Sequence, residues 1–179
     1  SIHYRVNEVL EPHSRRLAAD QKIRDRVAHG IRCFDSSNRS KARLLKGLTA
    51  GEVVVFTPDM QPRLRDGLFL NFFGIPALTP SALPDLIVQS QARTLIGVAL
   101  ATGNNYELHY LDCQIDASAP DIGERIMRKL ETAIRLNPEQ YEWSYKRFNT
   151  RPAGQPKLYR NLLLPGRFGR YSREALTGK

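Results

Sequence analysis

Residues 52–57 of the 179-residue chain read Glu-Val-Val-Val-Phe-Thr. Three successive valines followed by phenylalanine favour a β-strand, because β-branched and aromatic side chains pack well on a pleated surface. A run with so few polar residues is typical of a strand that is covered on both faces of a parallel sheet. Pro58 and Asp59 close the run. The sequence therefore predicts a central strand with Asp59 at its carboxyl end.

Helical and strand-like patterns alternate around this strand. Helical periodicity is clearest over residues 121–136, where apolar side chains recur on one face. Residues 94–101 and 106–112 are strand-like, and the Gly-Asn-Asn segment at 103–105 between them favours a hairpin. This alternation predicts an α/β domain with a layered central, mostly parallel sheet flanked by helices.

Charge divides the chain into three parts. Lys and Arg outnumber Asp and Glu by 27 to 18, which gives a net charge of +9. Residues 1–46 carry +6 and residues 146–179 carry +8, whereas residues 47–145 carry −5. Basic ends of this kind suggest anionic partners: nucleic acid, an anionic membrane, a phosphorylated substrate or an acidic protein. The longest apolar run, residues 95–101, is far shorter than the roughly 20 residues that span a bilayer.

A polar loop follows the predicted central strand and carries Asp59, Arg63 and Arg65. Ligands of open α/β sheets bind beyond the carboxyl ends of the strands, and arginine offers phosphate a bidentate fork. One interpretation is therefore a site for phosphate or phosphopantetheine. The other is a solvated turn with ion pairs inside the loop, and the local sequence leaves both open.

Two aromatic segments also have more than one interpretation. Phe72 and Phe73 lie in an apolar run that Gly and Pro then interrupt, which fits either the wall of an acyl-chain pocket or ordinary core. Residues 141–152 interleave aromatic and basic side chains. Such a segment can stack on nucleic acid bases, lie at a membrane interface or pack on the domain, and composition does not separate these.

His3 and Glu8 have the spacing of an H-x4-D/E acyltransferase dyad. On a helix, side chains five positions apart point about 140° away from each other, and on a strand they face opposite sides. We therefore interpret this match as chance.

Motifs in the chain occur in a characteristic order. They are Tyr4-Arg5, Gly-Glu-Val-Val at 51–54, Pro-Asp at 58–59, Phe-Phe-Gly-x-Pro-Ala-x-Thr at 72–79, and Asn-Pro-Glu-Gln-Tyr-x-Trp-x-x-Lys-Arg-Phe-x-Thr-Arg-Pro at 137–152. This series resembles the late acyltransferases of lipid A biosynthesis, the lauroyl and myristoyl transferases of Gram-negative bacteria. The resemblance covers about residues 2–159, and Val6 departs from it where the family usually has Pro after Tyr-Arg.

The resemblance implies a fold like that of glycerolipid acyltransferases and an enzyme of lipopolysaccharide biosynthesis at the cytoplasmic face of the inner membrane. Its partners would be acyl carrier protein as acyl donor, a lipid A precursor as acceptor and an anionic membrane surface. No metal or cofactor is implied. The general base of the family lies in an H-x4-D/E motif upstream of the Tyr-Arg element, so no catalytic residue is expected in this chain and the base is expected before Ser1.

The resemblance also assigns substrate-binding residues. Arg5, Asp59 and Arg65 match substrate-side motifs and are assigned to binding phosphate or the acyl donor. Arg147 and Arg151 belong to the last motif, where a structural role competes with ligand contact.

Two units follow from this assignment. Residues 1–152 would form the α/β domain, incomplete at its N-terminus, and residues 153–179 would form a basic tail. No nucleic acid partner is expected under this reading. The alternative hypothesis remains a nucleic-acid-binding module that uses the basic, aromatic C-terminal segment.

Overall fold

The computed structural model describes residues 4–10, 17–35 and 38–159. His3 and residues 160–179 of the predicted tail lie outside this part of the chain. The strands and helices, in chain order, are β1 Val6–Val9, α1 Leu17–Ala28, β2 Arg32–Phe34, α2 Asn38–Thr49, β3 Val53–Val55, β4 Gly67–Phe72, β5 Ile75–Pro80, α3 Ala82–Ser90, β6 Leu95–Thr102, β7 Asn105–Asp112 and α4 Ile122–Ile134. Short 3-10 turns occupy Leu64–Asp66 and Pro138–Gln140.

The strands form three separate sheets, which confirms a mixed α/β fold and corrects the expected single, mostly parallel sheet. Only β1, β2 and β3 pair in parallel, in the order β2-β1-β3, among the strands of the described residues. The pairs β4-β5 and β6-β7 are antiparallel. Two-residue turns cause this difference, because strands joined so closely pair antiparallel, whereas parallel pairing needs a crossover of a dozen or more residues.

The predicted strand is present but shorter; it lies at the edge of the described parallel sheet rather than in its centre, and it is not covered on both faces. Val54 points towards the cluster formed by the buried side chains of Val9, Leu44 and Leu86. Its neighbours Val53 and Val55 are 39% and 41% exposed. Because side chains alternate along a strand, one face of the parallel sheet packs on the core while β3 leaves its other face open to solvent.

The β4-β5 hairpin packs on α4 and turns at an unusual residue. Phe73 and Gly74 both have positive φ, 50° and 78°, as a two-residue hairpin turn of type I′ requires. Phenylalanine rarely takes this conformation. Here α4 holds it, because the Phe73 backbone N–H donates to Glu131 at 2.7 Å and the Arg135 guanidinium lies 4.9 Å from the Phe73 ring centre.

Two predictions that rest on short stretches of sequence are confirmed. Gly103 and Asn104 join β6 to β7, and α4 occupies most of the predicted helix. From the sequence, Thr-Pro-Ser at 79–81 predicts a helix that Thr79 caps and Pro80 opens, and the start of α3 differs from this prediction. Both residues end β5 instead, opposite Leu68 and Gly67 of β4, and the helix begins at Ala82.

Candidate functional site

A cavity of about 120 Å³, lined mainly by apolar side chains but also by polar atoms, lies beyond the carboxyl end of β3, between α2, α3 and the start of β6. Its apolar wall includes Leu48, Val54, Phe56, Pro58, Leu83, Leu86 and Ile87. The four residues that α3 contributes, Leu83, Leu86, Ile87 and Ser90, have the i, i+3, i+4, i+7 spacing of one helix face. The amphipathic pattern of α3 therefore builds one side of the cavity.

The polar groups of the wall are engaged with protein. Ser90 Oγ donates to the carbonyl of Leu86 at 2.7 Å, and Thr94 Oγ1 donates to the carbonyl of Ala92 at 3.2 Å. Arg93 is the one charged residue among the described lining residues, and its Nε and Nη2 donate to Asp112 at 3.0 and 2.7 Å. An apolar ligand in this cavity would therefore leave the side chains of Ser90, Arg93 and Thr94 with their protein partners.

Asp59 lies next to the cavity wall, directly after Pro58. The Tyr141 hydroxyl donates to Asp59 Oδ2 at 3.0 Å. Burial raises the pKa of Tyr141 above its usual range, and the negative charge of Asp59 raises it further. The tyrosine therefore stays neutral and holds the carboxylate in one orientation.

The loop that contains Asp59 is also attached to the 138–152 segment through Gln61. The Gln61 backbone N–H donates to the Tyr145 hydroxyl at 2.8 Å, and the Gln61 side chain donates to the carbonyl of Lys146 at 2.7 Å. The Gln61 side chain in turn accepts the backbone N–H of Thr150 at 3.1 Å. Three contacts across more than 80 residues of sequence therefore fix this loop.

Arg147 lies in the centre of the same region, with 2% of its surface exposed. Its Nη1 donates to the carbonyl of Leu78 at 2.5 Å, and its Nη2 donates to Thr79 Oγ1 at 2.7 Å and more weakly to the carbonyl of Pro58 at 3.4 Å. Burial lowers the pKa of Arg147, an effect that the charge of Asp59 opposes. The guanidinium thus connects β5 to the residue that precedes Asp59.

Arg151 makes contacts of the same kind. Its Nη1 donates to the carbonyl of Pro76 at 2.7 Å, and its Nη2 donates to Gln155 at 2.5 Å. Tyr141 and Phe148 place their rings 6.2 and 6.1 Å from the ring of Phe72. These contacts support the structural alternative for both arginines and the packed alternative for the 141–152 segment. Among the aromatic residues of this segment Trp143 is the most exposed, at 55%.

Arg5 and Arg65 are both exposed to solvent. Arg5 precedes β1, whereas Asp59 follows β3; since β1 and β3 run parallel, the two residues lie towards opposite ends of the sheet. Arg65 has 74% of its side chain exposed and lies 3.6 Å from Asp66. The structure thus brings Asp59 and Arg147 together, and the substrate-binding assignment of Arg5 and Arg65 stays a prediction.

Phe72 and Phe73 belong to the hydrophobic core and not to the wall of a pocket. Phe72 is fully buried with Ala77 and Met127, and neither phenylalanine lines the cavity. The residues of the actual wall were not predicted, although the spacing of apolar residues in α3 indicates them. Tyr141 was likewise not predicted as the partner of Asp59.

The fold and site define a mixed α/β protein with a hydrocarbon-compatible cavity beside an anchored carboxylate. Residues 6–150 match the family model described as bacterial lipid A biosynthesis acyltransferase, and the chain belongs to this family. The predicted resemblance is therefore confirmed, and the family is one of acyltransferases.

Curated relatives agree with this assignment. The chain is 28% identical over 122 residues to the lipid A biosynthesis lauroyltransferase of Escherichia coli (strain K12), a match that covers 65% of this chain and 40% of the relative. It is 24% identical over 153 residues to the lipid A biosynthesis palmitoleoyltransferase of the same organism and to a lipid A biosynthesis acyltransferase of Shigella flexneri. Each of these two matches covers 83% of this chain and 49% of the relative. The chain thus spans less than half the length of these relatives. None of the helices in the described part of the chain has the length and apolar character to cross a membrane.

The Tyr141–Asp59 contact predicts how stability responds to alkaline pH. Tyr141 keeps its proton in the folded state to higher pH than in the unfolded chain. Its contribution to the free energy of unfolding is therefore complete below pH 10 and is lost above it. The free energy of unfolding should therefore fall between pH 8 and 11. We expect this fall to be about 1 kcal/mol smaller in Tyr141→Phe than in the unchanged protein. Urea unfolding at both pH values measures this. Tyr106→Phe, at an exposed tyrosine, is the control, and an identical loss in both variants would contradict the prediction.

Proposed function

We propose that this chain is the acyl-chain-binding part of an enzyme that transfers a fatty acyl group from acyl carrier protein to a hydroxyl of a lipid A precursor. The observation that carries the proposal is the apolar cavity beside Asp59 in a chain that belongs to this family. The hydrocarbon chain of the donor would enter the cavity, and its thioester would lie at the rim.

The reaction is an acyl transfer between sulfur and oxygen. The acceptor hydroxyl attacks the thioester carbonyl, a carbon–oxygen bond forms, the carbon–sulfur bond breaks, and the carrier leaves as its thiol. A general base accepts the hydroxyl proton and passes it to the departing sulfur. We assign this base to an H-x4-D/E motif outside these 179 residues, and neither His29 nor His109 lines the cavity. The step uses neither a metal nor a cofactor.

The exposed cations supply the anionic part of the recognition. We assign Arg5 and Arg65 to the phosphates of the acceptor or of the phosphopantetheine arm, since both guanidinium groups face solvent. Arg147 and Arg151 position the Asp59 loop and β5 from within. The proposal further places the protein at the cytoplasmic face of the inner membrane, against anionic lipid, with the parallel sheet β2-β1-β3 belonging to a fold like that of glycerolipid acyltransferases.

An acyl-transfer assay tests the proposal. The 179-residue chain is incubated with acylated carrier protein and a lipid A precursor, alone and joined to a segment that supplies the H-x4-D/E motif. We expect no transfer by the chain alone and transfer by the joined protein, with His→Ala in the added motif as control. Transfer by the chain alone would contradict the assignment of the base. Failure of both proteins to bind the acylated carrier would contradict the function.

A further inference from the structure

One face of the β6-β7 hairpin is apolar and exposed. Gly97 pairs with Tyr110, Ala99 with Leu108 and Ala101 with Tyr106, which puts the side chains of these residues on the same face. Tyr106, Leu108 and Tyr110 are 75%, 62% and 67% exposed. Leu95 lies on the same face, opposite Asp112, whose carboxylate accepts hydrogen bonds from Arg93. We call this surface, together with Leu95, the outer hairpin face.

The orientation of the hairpin is fixed by its other face. Ile96 is buried against Ile122 and Ile126 of α4, and Val98 and Leu111 pack on the same cluster. At the far end of β6, the Gln140 side chain exchanges two hydrogen bonds with the backbone of Ala101, at 2.7 and 3.0 Å. The outer hairpin face is therefore a built surface on a strand pair that the core holds in place.

The hairpin is also free of charge at its tip. Residues 94–106 contain no Asp, Glu, Lys or Arg, although a quarter of all residues in the chain are charged. The first charged residue of β7, Glu107, pairs with Leu100 and points to the opposite side from Tyr106 and Leu108. Contiguous exposed apolar patches often mark sites of protein or membrane contact.

We propose that the outer hairpin face contacts a lipid bilayer. Tyrosine rings suit the headgroup depth, where the ring meets hydrocarbon and the hydroxyl meets water, and Leu95 and Leu108 would reach the acyl boundary between them. The basic ends of the chain would draw the protein to anionic lipid, and the uncharged part of this face, with Tyr106, Leu108 and Tyr110, would then insert. The proposal goes beyond the acyl transfer by naming the contacting surface, and it rests on the proposed function only for the expectation that the substrate lies in a membrane.

The small area of the outer hairpin face argues against a second copy of the chain as its partner. Eight residues per strand and two strands give a ribbon of about 27 by 10 Å, or about 270 Å² on each copy. Two such faces would bury about 540 Å², less than half of the roughly 1,200 Å² of a stable protein interface. A bilayer imposes no such minimum, because insertion of a few side chains adds to the electrostatic attraction.

Vesicle flotation with a matched pair of leucines tests the proposal. Leu108 and Leu64 are 62% and 65% exposed, so Leu108→Glu and Leu64→Glu make the same change on and off the outer hairpin face. With vesicles of phosphatidylethanolamine and phosphatidylglycerol, we expect Leu108→Glu to reduce the bound fraction at least tenfold and Leu64→Glu less than twofold. Equal losses would overturn the proposal, as would no loss in either variant.

Two further measurements separate the other outcomes. In a Trp143→Phe background, Tyr106→Trp should be quenched by brominated lipid, and absence of quenching would overturn the contact. A stable dimer in light scattering that Leu108→Glu dissociates would instead assign the face to a second copy. Binding of acylated carrier protein without lipid reports on the proposed function alone, so failure there leaves the vesicle result, and hence this proposal, intact.

Discussion

Replacing Arg147 with methionine is expected to lower the free energy of unfolding by about 3–5 kcal/mol. The guanidinium is buried and donates to two backbone carbonyls, of Leu78 and Pro58, and to the hydroxyl of Thr79. Methionine fills part of the volume but offers no donor, so these acceptors lose their partner in a region that water does not reach. Each acceptor left unsatisfied costs about 1–3 kcal/mol.

Two variants make the Arg147 experiment decisive. Arg147→Lys keeps the charge but replaces a planar fork by a single ammonium group, so we expect an intermediate loss. Arg65→Met makes the same change at an exposed arginine and should alter stability by less than about 0.5 kcal/mol. Urea unfolding of the three variants measures the differences. If Arg147→Met were as stable as Arg65→Met, the structural role of this arginine would be refuted.

Ala92→Phe is expected to change which donor chains the protein accepts. Ala92 lines the cavity between α3 and β6, and a phenyl group there would occupy space that the hydrocarbon needs. Each methylene forced out of the cavity costs about 0.8 kcal/mol, or about fourfold in affinity. Long-chain donors should therefore lose more than tenfold in affinity once two methylenes are excluded, while the shortest donors change little.

The matched control for the cavity is Ala153→Phe, at an exposed alanine outside it. Dissociation constants of carrier protein acylated with a series of chain lengths measure the effect. An equal loss at every length in Ala92→Phe would indicate general damage rather than a shortened pocket. No loss at any length would place the acyl chain elsewhere.

Elements with strong local signals were predictable from the sequence. Apolar spacing defined α4, and the glycine and asparagines at 103–105 defined the β6-β7 hairpin, because turn chemistry and periodicity act within a few residues. The β4-β5 turn at Phe73 was missed since phenylalanine carries no turn signal. Its left-handed backbone depends on Glu131 and Arg135, which lie about 60 residues further along the chain.

Sheet pairing and burial were less predictable for the same reason. A run of valines indicates a strand but not how many of its faces are covered, and Val53 and Val55 are partly exposed because helices pack on only one side of β3. Asp59 was predicted as a site residue from its place after a strand. Its partner Tyr141 lies 82 residues away, and no local pattern could connect the two.

The most direct test of the acyl-binding cavity is photolabelling of the 179-residue chain by carrier protein whose acyl chain ends in a diazirine. Peptide mapping by mass spectrometry then identifies the labelled residues. We expect labels on cavity residues of α3 and its neighbours, such as Leu83, Ile87 and Ala92, and loss of these labels in Ala92→Phe. Labels confined to the Phe72–Phe73 turn or to the outer hairpin face, with the cavity unlabelled, would contradict the account.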